Sequence, residues 1–262
     1  MARSKAIGIT AILLAGPGSA AAQDGTGAAA QANNPLLGVT AFNVQNYYIG
    51  DFTTPGEQDG FQTIFRFAQP FKIGETDWLF RASLPIRNFP TPAGDSFGLG
   101  DADAFAAYII DTGIPSLTFG VGPQFTFPTA TSDFLGSEKW SAGITNVAFN
   151  VFSPKFQAGY LLTYQHSFAS VDDARPDFNV GAFQPFAFYQ LGDGWYLRSA
   201  PIWTYNLDTD DYTLPLGLGV GKVVKVNDTV LNLFIEPQYS VVDEGPGFPE
   251  WQIFFSANFQ FY

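Results

Sequence analysis

The stretch Trp251-Gln-Ile-Phe-Phe-Ser-Ala-Asn-Phe-Gln-Phe-Tyr262 decides the fold. Its odd positions carry Trp251, Ile253, Phe255, Ala257, Phe259 and Phe261. Its even positions carry Gln252, Ser256, Asn258, Gln260 and Tyr262, with Phe254 the exception. Alternation with period two marks a β-strand with one apolar and one polar face. At the end of a soluble domain, so long and aromatic a strand would invite edge-to-edge pairing. In a transmembrane barrel the apolar face meets lipid, the polar face meets the lumen, and closure removes the edge.

The composition agrees. Hydrophobic residues make up 46% of 262, yet no stretch of about 18 apolar residues follows the N-terminus, so membrane helices are not expected. Twenty-eight Phe and eleven Tyr with a single Met suit a wall with aromatic girdles better than a cytoplasmic enzyme. A net charge of −12 argues against nucleic acid as a partner. The absence of Cys excludes disulfides and thiolate metal sites and suits an oxidising periplasm. No cofactor and no metal site is implied.

Residues 1–22 read as a secretory signal peptide: Arg3 and Lys5, an apolar run from Ala6 to Ala15, and small residues Ala20-Ala21-Ala22 before Gln23. Residues 23–35, rich in Ala, Gly, Gln and Asn, read as a periplasmic linker or a short helix in the barrel mouth. Residues 36–262 alternate strands with turns. Strands are expected at 37–49, 61–73, 78–89, 100–111, 117–127, 140–152, 156–168, 178–191, 195–205, 212–226, 229–242 and 250–262. The fold class is therefore all-β: an antiparallel up-and-down transmembrane β-barrel of about twelve strands, an even number as bacterial single-chain barrels have. Connections alternate between tight turns, such as Gly192-Asp193-Gly194 and Asn227-Asp228, and longer loops, such as Pro128–Lys139. That alternation places both termini in the periplasm of an outer-membrane protein. Pro70, Pro85, Pro185, Pro201 and Pro237 lack the ladder N–H and suggest bulges.

Phasing sets Leu231, Leu233, Ile235, Pro237, Tyr239 and Val241 outward, with Asn232, Glu236, Gln238 and Ser240 inward. The faces of the first, sixth and eighth strands are ambiguous. Gly120, Gly122, Gly217, Gly219 and Gly221 fall on the lumen face, where they leave room. The inward charges are Arg66, Lys72, Arg81, Arg87, Asp101, Asp103, Arg198 and Glu236. Arg or Lys facing lipid at the midplane costs about 2–4 kcal/mol, so inward placement is the cheaper one. Two readings stay open: a selectivity lining for a solute, or ion pairs that fill a narrow barrel and prop its wall. Phe105, Leu161, Phe183 and Phe254 are candidates to occlude the lumen.

The outer loops collect acid, from Asp51 and Glu57 to Asp243 and Glu244. Carboxylates there suit divalent cations shared with lipopolysaccharide, or simply a hydrated surface. The one His, His166, points outward near the rim, and Ser167 beside it points to the other face. A catalytic pair would need a Ser from an adjacent strand, so an enzyme is not expected.

Several short motifs follow one another along the chain: Asn34-Pro35, Ala68-Gln69-Pro70, Leu84-Pro85-Ile86, Gly98-Leu-Gly-Asp101, Gly120-Val-Gly-Pro123, Phe127-Pro-Thr-Ala-Thr131, Leu135-Gly-Ser-Glu-Lys-Trp140, Gln184-Pro185-Phe186 and Gly247-Phe-Pro-Glu-Trp251. In this order they resemble a family of bacterial outer-membrane barrels labelled, misleadingly, neuromedin U. They are similar to outer-membrane transporters found with meta-pathway phenol-degradation genes. The last strand also resembles the aromatic closing signal that barrels show to their assembly machinery, although Tyr262 lies one residue beyond the lipid face that ends at Phe261. The resemblance implies a membrane barrel with a transport role and supplies neither a solute nor catalytic residues. The expected partners are outer-membrane lipids and lipopolysaccharide, the barrel-assembly machinery, and a small solute. The leading expectation is a channel. The alternatives are a closed structural or adhesion barrel acting through its loops and, more remotely, a lipid-modifying enzyme.

Overall fold

The computed structural model describes residues 31–53, 58–171 and 175–262. The expected signal peptide, and residues 23–30 of the expected linker, lie outside the described residues. The rest is one antiparallel sheet closed on itself. Its segments are β1 (Thr40–Phe52), β2 (Gly60–Ile73), β3 (Thr76–Thr91), β4 (Gly94–Leu99), β5 (Ala102–Ile110), β6 (Leu117–Phe127), β7 (Lys139–Val151), β8 (Phe156–Ser170), β9 (Asn179–Gly192), β10 (Trp195–Ser199), β11 (Trp203–Asn206), β12 (Tyr212–Gly217), β13 (Gly219–Val226), β14 (Thr229–Glu244) and β15 (Pro249–Phe261).

These segments build twelve staves. β4 and β5 both pair with β3, β10 and β11 both pair with β9, and β12 and β13 both pair with β14, so each of these couples is one interrupted stave. The aromatic stretch that ends the chain is the closing stave. β15 pairs with β1 from Thr40↔Phe261 upward and with β14 from Thr229↔Phe261 upward. The fold is the twelve-stranded antiparallel transmembrane barrel that the sequence leads one to expect.

Both Thr40 and Phe261 lie at the end that carries the tight turns. There Asp193 and Gly194 both have positive φ, 50° and 76°. Two consecutive left-handed residues make the two-residue turn whose twist matches a hairpin, and Asp-Gly meets that demand cheaply. The outward face is apolar. Near the tight turns Trp78 lies between Phe71 and Tyr108, with ring centroids 6.2 and 5.4 Å away. Toward the long loops the pairs are Tyr48–Trp251, Phe127–Trp140 and Tyr205–Tyr212. These are the two interfacial girdles of a membrane barrel.

The structure departs from expectation in several places. The connection expected over 90–98 is largely a hairpin, because β3 runs on to Thr91 and pairs with β4. Pro70, Pro185 and Pro237 each sit in a continuous ladder on one side, whereas opposite Pro85 the pairing of β3 moves from Ile86↔Leu99 to Ser83↔Asp103, one extra residue on the β4/β5 stave and the bulge expected there. Pro201 does interrupt its stave, and a register shift falls at Pro215 instead. Phe183 points outward, packed between Tyr160 and Trp203 at 5.6 Å from each, and does not occlude the lumen.

Candidate functional site

Among the described residues, buried charge, cavities and unpaired polar atoms converge in the lumen. Its floor, at the tight-turn end, is made by the segment leading into β1. Two turns, Asn34 N to Gln31 O and Leu37 N to Asn34 O, fold residues 31–37 into the barrel. Ala32 O accepts hydrogen bonds from Asn232 Nδ2 at 3.3 Å and Gln260 Nε2 at 2.9 Å. Asn34 Nδ2 reaches Thr118 Oγ1 at 3.3 Å. Leu36 packs with Leu79, Phe105, Ala107 and Val147. β14 and β15 stand across the barrel from β5, β6 and β7, so the segment spans the lumen.

Above the floor sits a buried ion pair. Arg198 Nε meets Glu236 Oε2 at 2.6 Å, with the Glu236 side chain 0% and the Arg198 side chain 6% exposed. Glu236 Oε1 also accepts from Ala200 N and Gln238 Nε2, each at 2.9 Å. The guanidinium lies 3.4 Å from the ring centre of Phe234, with Phe254 and Phe188 farther out. Tyr47 stacks on Phe254 at 4.3 Å. A buried carboxylate is tolerable only when paired and hydrogen-bonded, and here both oxygens are occupied.

The lumen-facing glycines do not leave open space. A Cβ at Gly217 or Gly219 would strike Glu236, and one at Gly221 would strike the Tyr196 ring. Glycine at these positions lets large side chains lie flat against the wall.

A second arginine group stands on β2 and β3. Arg66 Nε donates to Ser83 Oγ at 3.1 Å. Arg87 donates to Gln62 Oε1 at 2.6 Å and to Leu135 O at 2.7 Å. Arg81 lies over the Phe105 ring at 4.2 Å, directly across the ladder, and its Nε has no partner. The described residues contain four ion pairs, and none involves Arg66, Arg81 or Arg87. Asp103 lies on the same cavity, within electrostatic reach of Arg81 and Arg87. Asp101 is committed elsewhere: its oxygens accept from Ala130 N at 3.2 Å, Ser137 N at 2.6 Å and Ser137 Oγ at 2.8 Å. Together with Arg87 on Leu135 O, this draws residues 128–138 over the lumen as a partial ceiling, with Leu135 fully buried. Lys72 is at the tight-turn rim, paired with Asp77 at 2.9 Å.

Three cavities follow the lumen, and Arg66 and Ile202 line all of them. The one against the floor is about 170 Å³, and two on the long-loop side are about 400 and 510 Å³. Gln45 Oε1, Gln124 Oε1 and Gln260 Oε1 are buried on these cavities without a protein partner.

At the long-loop rim, Lys139 Nζ meets Asp177 at 3.0 Å, and this hydrogen-bonded charge, with Ser167, holds the Asp177 carboxyl below its ordinary range. Arg175 pairs with Glu138 at 3.2 Å. His166 Nδ1 lies 2.5 Å from Asn179 Oδ1 on the outer face, whereas Ser167 turns inward to Asp177.

Alternation carries no signal for the ceiling loop or for the path of residues 31–37 across the lumen, of which 31–35 read as a linker or a short helix in the barrel mouth. Phe234 was available to it, because it shares parity with Asn232 and Glu236. Tyr47, Phe186 and Phe188 lie on strands whose faces alternation did not resolve or did not address.

No family model matches the chain, and no curated protein matches it. Solved structures do. It superposes on an outer-membrane channel from Pseudomonas putida F1 with a TM-score of 0.67, over 87% of this chain and 97% of that one, at 13% identity. It superposes on the NanC porin with a TM-score of 0.55, over 84% and 99%, at 11% identity. At such identities the likeness is one of fold: this chain shares the closed antiparallel β-barrel of that channel and that porin.

Proposed function

We propose that the protein is a narrow outer-membrane channel that passes a small anionic solute through its lumen. The observation that carries this reading is the wall of Arg66, Arg81 and Arg87, which lines linked cavities and, among the described residues, has no carboxylate within ion-pair distance. The long-loop acids sit at a wide, wet rim, where a Debye length of about 8 Å screens them. The arginines sit in a constricted section with low-dielectric walls, where charge acts more strongly. Carboxylate, sulfonate or phosphate groups match the guanidinium fork. In this reading the tight turns and both termini face the periplasm, and lipopolysaccharide surrounds the long loops.

The test is reversal potential in a salt gradient across a planar bilayer. Anion preference is expected, with a shift toward cations when Arg66, Arg81 and Arg87 are replaced together by Ala. Selectivity unchanged by that triple replacement would reduce the arginines to scaffolding.

The floor favours a second reading, a closed barrel working through its loops. A silent, correctly folded barrel that begins to conduct when residues 23–37 are removed would identify that segment as the closure. Silence in both forms would favour the closed barrel.

A further inference from the structure

The constriction carries both signs of charge, held apart. Arg66, Arg81 and Arg87 stand on β2 and β3, and Asp103 stands one stave further round, on β5. All four line the cavity of about 510 Å³. Ladder pairing fixes their neighbourhood. One row across the wall runs Arg66↔Ser83↔Asp103↔Thr126, and the next runs Arg81↔Phe105↔Gln124. Residues directly opposite in a ladder share a face, as do residues two apart on a strand, so both rows point into the lumen.

Arg81 and Asp103 are diagonal neighbours, a separation of ~7–8 Å that long side chains span. Among the described residues they nevertheless form no ion pair. Their neighbours hold the arginines away. Buried Ser83 takes Arg66 Nε at 3.1 Å. The Phe105 ring holds the Arg81 guanidinium over its face at 4.2 Å.

The same wall has unmet hydrogen-bonding capacity. Arg81 Nε is a buried donor without a protein partner. Gln124 is only 5% exposed, and its Oε1 is a buried acceptor without one, on the same cavity. Water satisfies an isolated buried polar atom. It does not balance three arginines and a carboxylate kept apart around one hollow.

The chemistry of these groups defines their complement. Guanidinium forks take carboxylates. Asp103 and Gln124 Oε1 are acceptors, and an ammonium brings three donors together with the charge opposite to Asp103. Three arginines against one free acid leave a place for a second anionic group.

We infer that the constriction is a recognition site for a small amino dicarboxylate, the chemical class of the acidic amino acids. Its carboxylates lie on Arg66 and Arg81, with Arg87 nearer the long loops, and its ammonium lies on Asp103 and Gln124. This rests on the channel reading and narrows its solute from any small anion to one that also carries a cationic group. A plain anion filter ranks solutes differently, because it favours a dianion over a monoanion.

The test is saturation-transfer NMR of the mature barrel, folded in detergent and checked by its heat-modifiable mobility, with empty micelles as the control. The probes, titrated at neutral pH, are glutamate, glutarate, which lacks the ammonium, and 4-aminobutyrate, which lacks the carboxylate beside it. Glutamate is expected to bind about tenfold more tightly than either, the loss of one charge-assisted hydrogen bond. Asp103→Asn is expected to bring glutamate down to the level of glutarate.

Glutarate that binds as tightly as glutamate overturns the proposal, and so does binding of none of the probes. Unchanged glutamate affinity in a folded Asp103→Asn barrel overturns it too. Should that variant not fold, the order of the probes on the unaltered chain decides. Anion-selective conductance alongside any of these failures leaves the channel reading standing. Glutamate binding by a barrel without conductance would keep the site and remove the route.

Discussion

Arg198 and the group Arg66, Arg81 and Arg87 are the same residue type in the same lumen, and they do different things. Arg198 is buried, paired to Glu236 and covered by three phenylalanine rings. Its charge is cancelled, and what remains is a brace across an interrupted wall. The other three hold neutral partners: a serine hydroxyl, a glutamine, a backbone carbonyl and a ring face. Their positions are fixed and their charge remains available. Whether a lumen charge is structure or function is thus decided by what stands within hydrogen-bonding distance of it. The two readings that stayed open for these residues as one set separate into one for each group.

The sharpest way to break this comparison is to remove one half of the pair. Glu236→Ala leaves Arg198 charged and unpartnered in a buried site, which costs about 3–5 kcal/mol. It should show as a lower denaturant midpoint and a lower temperature for the heat-modifiable mobility shift. Replacing both members, Arg198→Met with Glu236→Leu, removes the stranded charge and should recover much of that loss. It should not recover all of it, because Ala200 N loses its acceptor, and an orphaned buried donor costs about 1–3 kcal/mol. Full recovery would show that Ala200 N finds another acceptor.

Asp101 sharpens the comparison from the acidic side. Asp101→Ala removes the acceptor for Ser137 N, Ser137 Oγ and Ala130 N. The expected loss is about 1–3 kcal/mol, localised to residues 128–138. Faster proteolysis there and noisier open-channel current are expected, with selectivity nearly unchanged. A large change in selectivity would make Asp101 a conducting-path residue and not an anchor.

Arg81→Met should cost less still, since a ring-face contact contributes about 0.5–2 kcal/mol and the side chain has no ion pair to lose. Its effect belongs in the reversal potential. Arg81→Met that destabilised the barrel as much as Glu236→Ala would erase the distinction between the two arginine groups.

Much of this architecture is legible in the chain, and the gaps have a physical pattern. Period-two alternation places Arg198, Glu236, Gln238 and the outward Leu233 and Tyr239 on their correct faces, because a strand's geometry allows only two. Parity says nothing about the neighbour that a side chain will find. Asp101 and Asp103 look equivalent, yet only Asp101 is taken by Ser137, from a loop whose path no periodicity records. Gly217, Gly219 and Gly221 look like space, and they are seats for Glu236 and Tyr196. Of the five prolines suspected of distorting the wall, Pro85 stands opposite a bulge and Pro201 in an interruption, while Pro70, Pro185 and Pro237 keep a continuous ladder on one side. Residues 31–37 carry no period at all, and their burial depends on partners some two hundred positions away, Asn232 and Gln260.

The smallest expected effect lies at the rim, where buried Lys139 meets the exposed Asp177. Asp177 is fully exposed, so no stability figure attaches to it, but its direction is defined. The hydrogen bond and charge of Lys139 hold the Asp177 carboxyl below its ordinary value. A carboxyl depressed on folding contributes while the pH is above its unfolded value and loses that contribution as pH falls through the folded one. Acidification removes the pair by neutralising Asp177. Below the ordinary carboxylate range the 175–178 stretch should therefore loosen from β7, seen as faster amide exchange at Phe178, whose N–H bonds to Ser167 Oγ. Asp177→Asn should show the same exchange at neutral pH and no further change on acidification. High salt should mimic it only weakly, because Lys139 is buried and only Asp177 is exposed. The buried Arg198–Glu236 pair should ignore salt, so a common salt dependence at both sites would mean that water and ions reach it.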